Sequence, residues 1–134
     1  MEVLRSEVLP IRSAQDLVLV RQAVRTWTAE LKFSLVEQTK MVTAASELAR
    51  NTLDYGKGGQ VILQIVQEGI RRGLRLSFED NGPGIPDVEL ALRDGYTSGG
   101  GMGLGLGGAR RLVNDFEIVT KVGEGTRVTV TRWK

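Results

Sequence analysis

The sequence contains neither cysteine nor histidine. The absence of cysteine excludes disulfide bonds and thiolate nucleophiles, and the absence of both residues excludes zinc sites of the Cys/His type. Without histidine the chain also cannot form a serine–histidine triad or carry a phosphohistidine. Any chemistry on this chain therefore has to come from carboxylates, amides, hydroxyls, Lys and Arg side chains, backbone groups or a bound metal.

The chain also lacks a marked excess of charge of one sign. Its 18 basic and 16 acidic residues leave a net charge of only +2, without the basic stripe that binding to a phosphate backbone needs, so we expect no nucleic-acid partner. No run approaches the roughly 20 apolar residues of a membrane span, and no signal peptide opens the chain. We therefore expect a cytoplasmic protein that does not act at a membrane.

The length and composition fit one globular domain. A chain of 134 residues buries roughly two-thirds of the surface that it exposes when unfolded. Hydrophobic residues make up 41% of it and charged residues 25%, which is typical of globular domains. There is no internal repeat, low-complexity tail or interior linker. We expect residues 1–134 to form a single domain.

Hydrophobic periodicity predicts elements in the order β-α-α-β-β-loop-α-β-β. The expected strands are Met1–Ile11, Gln60–Gln67, Arg72–Asp80, Phe116–Val122 and Thr126–Trp133. Two helices begin at the capping sequences S-x-x-D and S-x-x-E, which open at Ser13 and Ser34, and the second ends near Tyr55. A short helix over Asp87–Arg93 and a later one from near Gly103 to Val113 complete the prediction. This order favours an α/β fold with helices on one face of a sheet.

The first candidate functional group is the pair Glu47 and Asn51 in the second predicted helix. Residues four apart share one helix face, so the carboxylate and the amide project side by side. Such a pair can hold hydrated Mg²⁺ or orient a hydroxyl nucleophile. Taken alone, the pair also fits an ordinary solvated polar face.

The second group is the string D-N-G-P-G-I, which runs from Asp80 to Ile85 directly after a predicted strand. A carboxylate at a strand end places an acceptor at the floor of a cleft, and the glycines let backbone approach a ligand. A plain turn is the simpler alternative, because N-G and P-G are common turn pairs.

The third group is a glycine-rich segment with seven glycines among residues 99–108. Glycines at the start of a helix leave backbone N–H groups accessible to phosphate oxygens. The segment follows a long loop late in the chain, which disfavours a dinucleotide-binding β-α-β unit, and no G-K-[ST] follows, which excludes a Walker loop. A hinge without a ligand remains an alternative.

A fourth string, G-E-G-T, ends at Thr126 in the last predicted hairpin and on its own could be a simple turn. Together, and in this order, the four groups resemble the GHKL ATP-binding family, which includes histidine-kinase ATPase domains, heat-shock chaperones and bacterial anti-sigma kinases. Within the family, the strings S-E-L-A-R-N, D-N-G-P-G-I-P and T-S-G-G-G-M-G-L-G-L-G-G look like those of the serine/threonine kinases of the bacterial stressosome. The resemblance implies a two-layer sandwich of Bergerat type, with a mixed β-sheet, helices on one face and a glycine-rich ATP lid.

The resemblance also implies roles for individual residues. Asn51 matches the asparagine that ligates Mg²⁺, Glu47 the general base four residues before it, and Asp80 the acceptor for the adenine amino group. Gly82 and Gly84 match glycines of the adenine pocket, and Thr126 a threonine near the adenine. The candidate ATP-binding positions of the lid are Thr97, Gly101, Gly103, Gly105 and Gly107. In one departure, Thr52-Leu53-Asp54-Tyr55 stands where several family branches carry a basic residue.

The function implied is transfer of the ATP γ-phosphoryl group to a Ser or Thr of STAS-domain proteins. The resemblance further implies binding to a downstream PP2C-type phosphatase, so that the kinase switches between partners in a bacterial stress response. Two alternatives stay open at this point. One is an anti-sigma factor kinase that sequesters a sigma factor, and the other is a non-catalytic switch whose binding depends on the nucleotide.

Overall fold

A computed structural model describes residues 1–93 and 105–134 of the chain. Within these residues the strands are β1 (Glu2–Ile11), β2 (Gly59–Glu68), β3 (Arg71–Asp80), β4 (Asp115–Lys121) and β5 (Gly125–Trp133). The helices are α1 (Ala14–Glu30), α2 (Leu35–Asp54), α3 (Val88–Ala91) and α4 (Leu106–Arg111). The order of elements is the predicted one, and most boundaries fall within two residues of the expectation.

Both predicted helix starts are capped by side chains. The Ser13 hydroxyl accepts a hydrogen bond from the Asp16 backbone N–H at the start of α1. At the start of α2, Ser34 and Glu37 form a complete capping box in which each side chain accepts from the other residue's backbone N–H. These bonds satisfy N–H groups that the first helical turn leaves without a partner, so α2 begins at a fixed point and presents a defined face to the sheet.

The five strands form one sheet in the order β1-β2-β3-β5-β4. Every neighbouring pair is antiparallel, which corrects the expectation of a mixed sheet. The reason is the final hairpin, which inserts β5 between β3 and β4. Strands β3 and β4 therefore run in the same direction but are not neighbours.

The core lies between the sheet and the helices. Leu63, Leu76 and Val130 on the inner face of the sheet are fully buried, and α2 contributes Met41 and Leu48 from its apolar stripe. Because strand side chains alternate between faces, the neighbours of these strand residues point to the opposite, helix-free side. The chain is thus the expected two-layer sandwich, and the polar residues at the end of α2 and β3 meet at one end of it. None of the described helices is long and apolar enough to span a membrane.

Candidate functional site

A small pocket opens between α2, the inner face of the sheet and the start of α4. It brings together three residues singled out in the sequence, Asn51, Asp80 and Thr126. The remaining walls of the pocket are mainly apolar and come from Leu48, Thr52, Tyr55, Phe78, Ile85, Leu106 and Val128. An apolar slot with a few convergent polar groups suits a flat heterocycle that is held at its edge by hydrogen bonds.

Asp80 supplies the carboxylate of this pocket from the last position of β3. Its Oδ1 accepts a hydrogen bond of 2.9 Å from the Gly82 backbone N–H. Burial raises the pKa of the Asp80 carboxyl, and the backbone N–H groups of Gly82 and Thr126 oppose the rise in pKa. Desolvation is the largest of these effects. The carboxylate is therefore a poorly solvated hydrogen-bond acceptor. A hydrogen bond from a ligand N–H stabilises it more than it would stabilise an exposed carboxylate.

Gly56, just past the end of α2, sets how close that helix comes to Asp80. A β-carbon at Gly56 would overlap the Asp80 carboxyl group, and a β-carbon at Gly82 would overlap the backbone of Gly56. The Gly56 backbone therefore packs directly against the Asp80 carboxylate and against the loop that follows Asp80. The sequence showed Gly56 only as the end of a helix, and its part in the pocket was missed.

The loop after Asp80 is held from two sides. On one side the Tyr55 hydroxyl donates a 3.0 Å hydrogen bond to the Gly84 carbonyl. On the other, Gly84 has a φ of +76°, and a β-carbon there would overlap the backbone of Lys121. Gly84 is therefore required both by its left-handed conformation and by the close approach of β4. Tyr55 is a second positioning residue that the sequence did not identify, since only the fold brings it to the loop.

Thr126 lies at the start of β5, opposite Asp80 in the antiparallel register. Its hydroxyl is 2.8 Å from that of Thr120, which also accepts a 2.9 Å hydrogen bond from the Ile85 backbone N–H. These threonines tie the pocket loop to the last hairpin. No sequence signal pointed to Thr120, because a threonine in an ordinary strand position carries no distinguishing pattern.

Glu47 lies one turn before Asn51 on α2 and outside the residues that line the pocket. Its carboxylate faces Gly105, where an added β-carbon would overlap it. Gly105 is the N-cap of α4, with a φ of +64° and no side-chain hydrogen bond to that helix. The proposed base and the first described residue of the glycine-rich segment are therefore in direct contact.

The remaining lid positions divide into two groups. Gly107 is buried within α4, beside Leu106, which reaches the pocket wall. Thr97, Gly101 and Gly103 lie outside the described residues. Among the candidate positions, the structure thus places Asn51, Asp80 and Thr126 in the wall of the pocket. Gly82 and Gly84 lie in the loop beside it, and Glu47 lies against Gly105.

The described part of the chain contains no cluster of three or more acidic side chains that could hold a metal ion by itself. Within these residues, a divalent cation would have at most two acidic ligands and would take its other ligands from elsewhere, including water or a bound molecule. Mg²⁺ is commonly bound in this manner, through one or two protein oxygens together with substrate phosphates. The Asn51 side chain fits that donor set, because it offers one amide oxygen beside the pocket.

The chain is similar in sequence to known proteins over most of its length. Residues 36–134 match the family described as histidine kinase-, DNA gyrase B-, and HSP90-like ATPase. The chain is 40% identical to the serine/threonine-protein kinase RsbT of Bacillus subtilis, over 92% of each chain. It is also 28% identical to the anti-sigma F factor of Anoxybacillus flavithermus, over 89% of this chain and 85% of that one.

A solved structure has the same fold. It is the crystal structure of the RsbU and RsbW domains of Rv1364c from Mycobacterium tuberculosis, which superimposes with a TM-score of 0.63 at 20% identity. The match covers 97% of this chain and about a third (33%) of the solved one. At this level of identity the likeness concerns the fold alone.

Proposed function

Since the chain belongs to the histidine kinase-, DNA gyrase B-, and HSP90-like ATPase family and is a homologue of a serine/threonine protein kinase, we propose that it phosphorylates a Ser or Thr of a STAS-domain protein with ATP. The observation that carries this proposal is the half-buried Asp80 carboxylate at the floor of an apolar slot, with Asn51 on the facing helix. The slot suits the adenine, and the helix carries two polar residues, Glu47 and Asn51, where the reacting end of a nucleotide would lie.

Asp80 is proposed to recognise adenine. Its carboxylate can accept a hydrogen bond from the amino group of adenine but not from the oxo group of guanine. Because the carboxylate is already poorly solvated, guanine would leave it with only the backbone N–H groups of Gly82 and Thr126 and no ligand donor, and that loss gives strong discrimination. Gly82 and Gly84 shape the same end of the pocket through their backbone, and Thr126 borders it.

Asn51 is proposed to hold Mg²⁺ together with the nucleotide phosphates. The metal would neutralise phosphate charge, while the glycine-rich lid (residues 97–107) would supply backbone N–H groups around the phosphates.

Glu47 is proposed as the general base. In the transfer, the acceptor hydroxyl oxygen bonds to the γ-phosphorus, the bond from that phosphorus to the bridging oxygen breaks, and ADP leaves. Glu47 takes the hydroxyl proton or orients it. Its position beside Gly105 and one turn from Asn51 supports this role, because the carboxylate stands at the edge of the pocket rather than inside it.

The proposed setting is partner switching in a bacterial stress response. In this proposal the kinase binds and phosphorylates STAS-domain proteins of a stressosome, and when free it binds a downstream PP2C-type phosphatase in the cytoplasm. The similarity to RsbT supports this assignment. No nucleic-acid or membrane partner is proposed, in line with the near-neutral charge of the chain.

Transfer itself tests the proposal. The protein is incubated with γ-labelled ATP, Mg²⁺ and the STAS-domain proteins encoded beside it, with Glu47→Gln as a matched control that keeps the size of the side chain. Label should appear on a Ser or Thr of the partner with the parent protein and be strongly reduced with the variant. Nucleotide binding without transfer to any STAS protein would instead favour the non-catalytic switch.

An anti-sigma kinase is the second candidate, and the similarity to anti-sigma F factors favours it. The chemistry would be the same, but the protein would also sequester a sigma factor. Pull-down from a lysate of the source bacterium, followed by mass spectrometry, distinguishes the two. A sigma factor held in an ATP-dependent manner would indicate the anti-sigma role, whereas a PP2C-type phosphatase would indicate the stressosome role.

A further inference from the structure

A second and larger concavity, which we call the rear basin, lies at the end of the sheet next to the nucleotide pocket. It has a volume of about 780 Å³ and borders the ends of β1 to β5. Among its lining residues, Gln60, Glu79 and Arg127 occupy strand positions that alternate with the buried Val61, Phe78 and Val128. The basin therefore opens on the helix-free side of the sheet.

The rear basin is positively charged. Its walls carry four basic side chains, Arg12, Lys57, Lys121 and Arg127, against the two acidic side chains Glu79 and Glu124, apart from Asp80, whose carboxylate is turned to Gly56 and Gly82. With Asp80 included, the lining has four basic and three acidic side chains, a surplus of one positive charge.

Three of these cations are available for a ligand. Lys121 is paired with Glu124 at 3.1 Å, and Glu79 accepts a 2.9 Å hydrogen bond from Gln60. The side chains of Arg12, Lys57 and Arg127 form neither an ion pair nor a hydrogen bond with any other described residue, and all three are exposed. They come from three separate parts of the chain: the β1–α1 connection, the α2–β2 connection and β5.

Lys57 occupies a conformation that a lysine does not favour. Its φ is +63°, in the left-handed region, and the following Gly58 has a φ of +100°. Glycine would adopt this conformation without steric cost. Lys32, outside the basin, has a similar φ of +66°, so this conformation does not mark a binding role, but it makes Lys57→Gly a variant that removes the charge without straining the backbone.

We propose that the rear basin is a docking site for an acidic segment of a protein partner. Cations spread over three elements match several carboxylates along an extended chain better than they match one compact anion. The basin shares Asp80 and Thr126 with the nucleotide pocket, whereas Gln60, Glu79 and Arg127 line the basin alone, so the acidic segment would bind directly beside the nucleotide pocket. This proposal concerns binding and does not depend on the kinase activity proposed above.

The test uses fluorescence anisotropy with a labelled hexaglutamate peptide and the full chain saturated with ATP. The variant Arg12→Gln/Lys57→Gln/Arg127→Gln should raise the Kd about tenfold or more, since each exposed ion pair contributes modestly and three are lost. Binding of the parent protein should also weaken as salt is raised. Hexaglutamine is the matched probe and should not bind.

The control variant Arg25→Gln/Lys40→Gln/Lys134→Gln removes the same charge from exposed positions outside the basin. It should change the Kd by less than twofold. Equal losses in the two triple variants, or no loss in the basin variant, would overturn the proposal and leave only non-specific charge attraction.

Two further measurements address the other possible occupants. The single variant Lys57→Gly should bind the peptide more weakly while its Tm stays the same or rises, which separates the loss of charge from damage to the fold. A second equivalent of ATP bound to the parent but not to the basin variant would make the basin a nucleotide site. Self-association of the parent, abolished in the basin variant, would make it an interface between copies. Either result would replace the proposed acidic partner.

Discussion

The Asp80 carboxylate lies against the α-carbon of Gly56, so closely that a β-carbon on Gly56 would overlap it. The contact joins the end of α2 to the end of β3 and fixes the direction in which the carboxylate points into the pocket. We therefore expect Gly56→Ala to displace Asp80 and to lower ATP affinity at least tenfold. Overpacking of this kind costs about 1–3 kcal/mol of stability. Calorimetric titration with ATP and thermal unfolding measure the two effects.

A double-mutant cycle shows whether the loss of affinity in Gly56→Ala acts through Asp80. In that case, the ATP affinities of Gly56→Ala/Asp80→Asn and Asp80→Asn alone should be nearly equal, because the second change removes the group that the first displaces. Additive losses would mean that Gly56 contributes to the pocket independently of the carboxylate.

Asp80→Asn should weaken ATP binding by about a hundredfold or more. The amide can turn its oxygen to Gly82, but it then presents an NH₂ group to the amino group of adenine, and two donors face each other. The preference for ATP over GTP should shrink at the same time. Calorimetry with both nucleotides measures this, and a variant that bound ATP as tightly as the parent would remove Asp80 from the recognition of adenine.

The raised pKa of Asp80 predicts that the difference in stability between the parent protein and Asp80→Asn depends on pH. The folded state binds the Asp80 proton more tightly than the unfolded state, so ionisation of this group opposes folding. The contribution of the protonated Asp80 carboxyl to stability is greatest below the ordinary pKa of 3.8. It is lost as the pH rises through the higher pKa of the folded state. Asp80→Asn should therefore gain stability relative to the parent between pH 4 and 7 but not below pH 4. Thermal unfolding across this range, with the exposed Asp54→Asn as a control, would measure the difference.

Gly105→Ala should slow phosphoryl transfer. A φ of +64° at this N-cap is unfavourable for alanine. The added β-carbon would also displace the Glu47 carboxylate. Gly108→Ala is the matched control, because Gly108 has open space around its β-position and no positive φ. The control should transfer at the parent rate and be as stable or more so. Equal rates for the two variants, measured in single turnovers, would show that Gly105 tolerates a side chain.

The sequence predicted those features that depend on neighbouring residues. The caps at Ser13 and Ser34 are local, so both helix starts fall where the S-x-x-D and S-x-x-E patterns placed them. Glu47 and Asn51 were correctly assigned to one helix face because the helical repeat alone decides it. The family, the sandwich fold and the kinase assignment were confirmed by the comparisons, since motifs spread along most of the chain carried the resemblance.

Features that depend on long-range packing could not be predicted in this way. The Tyr55 hydroxyl reaches Gly84 across 29 residues of sequence, and Thr120 meets the Ile85 N–H across 35. The wrong expectation of mixed strand pairing has the same origin, because the place of β5 between β3 and β4 follows from tertiary packing rather than from periodicity. The rear basin is a further example, since its cations come from elements that only the fold brings together.

Substitutions of Glu47 and Asn51 should have different effects although the two residues lie only one helical turn apart. Asn51→Ala should lose the Mg²⁺ dependence of nucleotide binding and therefore transfer as well, because its amide oxygen is the proposed metal ligand. Glu47→Gln should still bind ATP with Mg²⁺ but transfer about 10²–10⁴-fold more slowly, the usual loss when a general base is removed. Both positions are half-buried on α2, so thermal unfolding is measured first to show that each variant is folded. Single-turnover phosphorylation of a STAS-domain protein at saturating ATP then gives the decisive comparison. Transfer by Glu47→Gln at the parent rate would exclude the carboxylate as the base, and a nucleotide-dependent binding switch would become the better description of the protein.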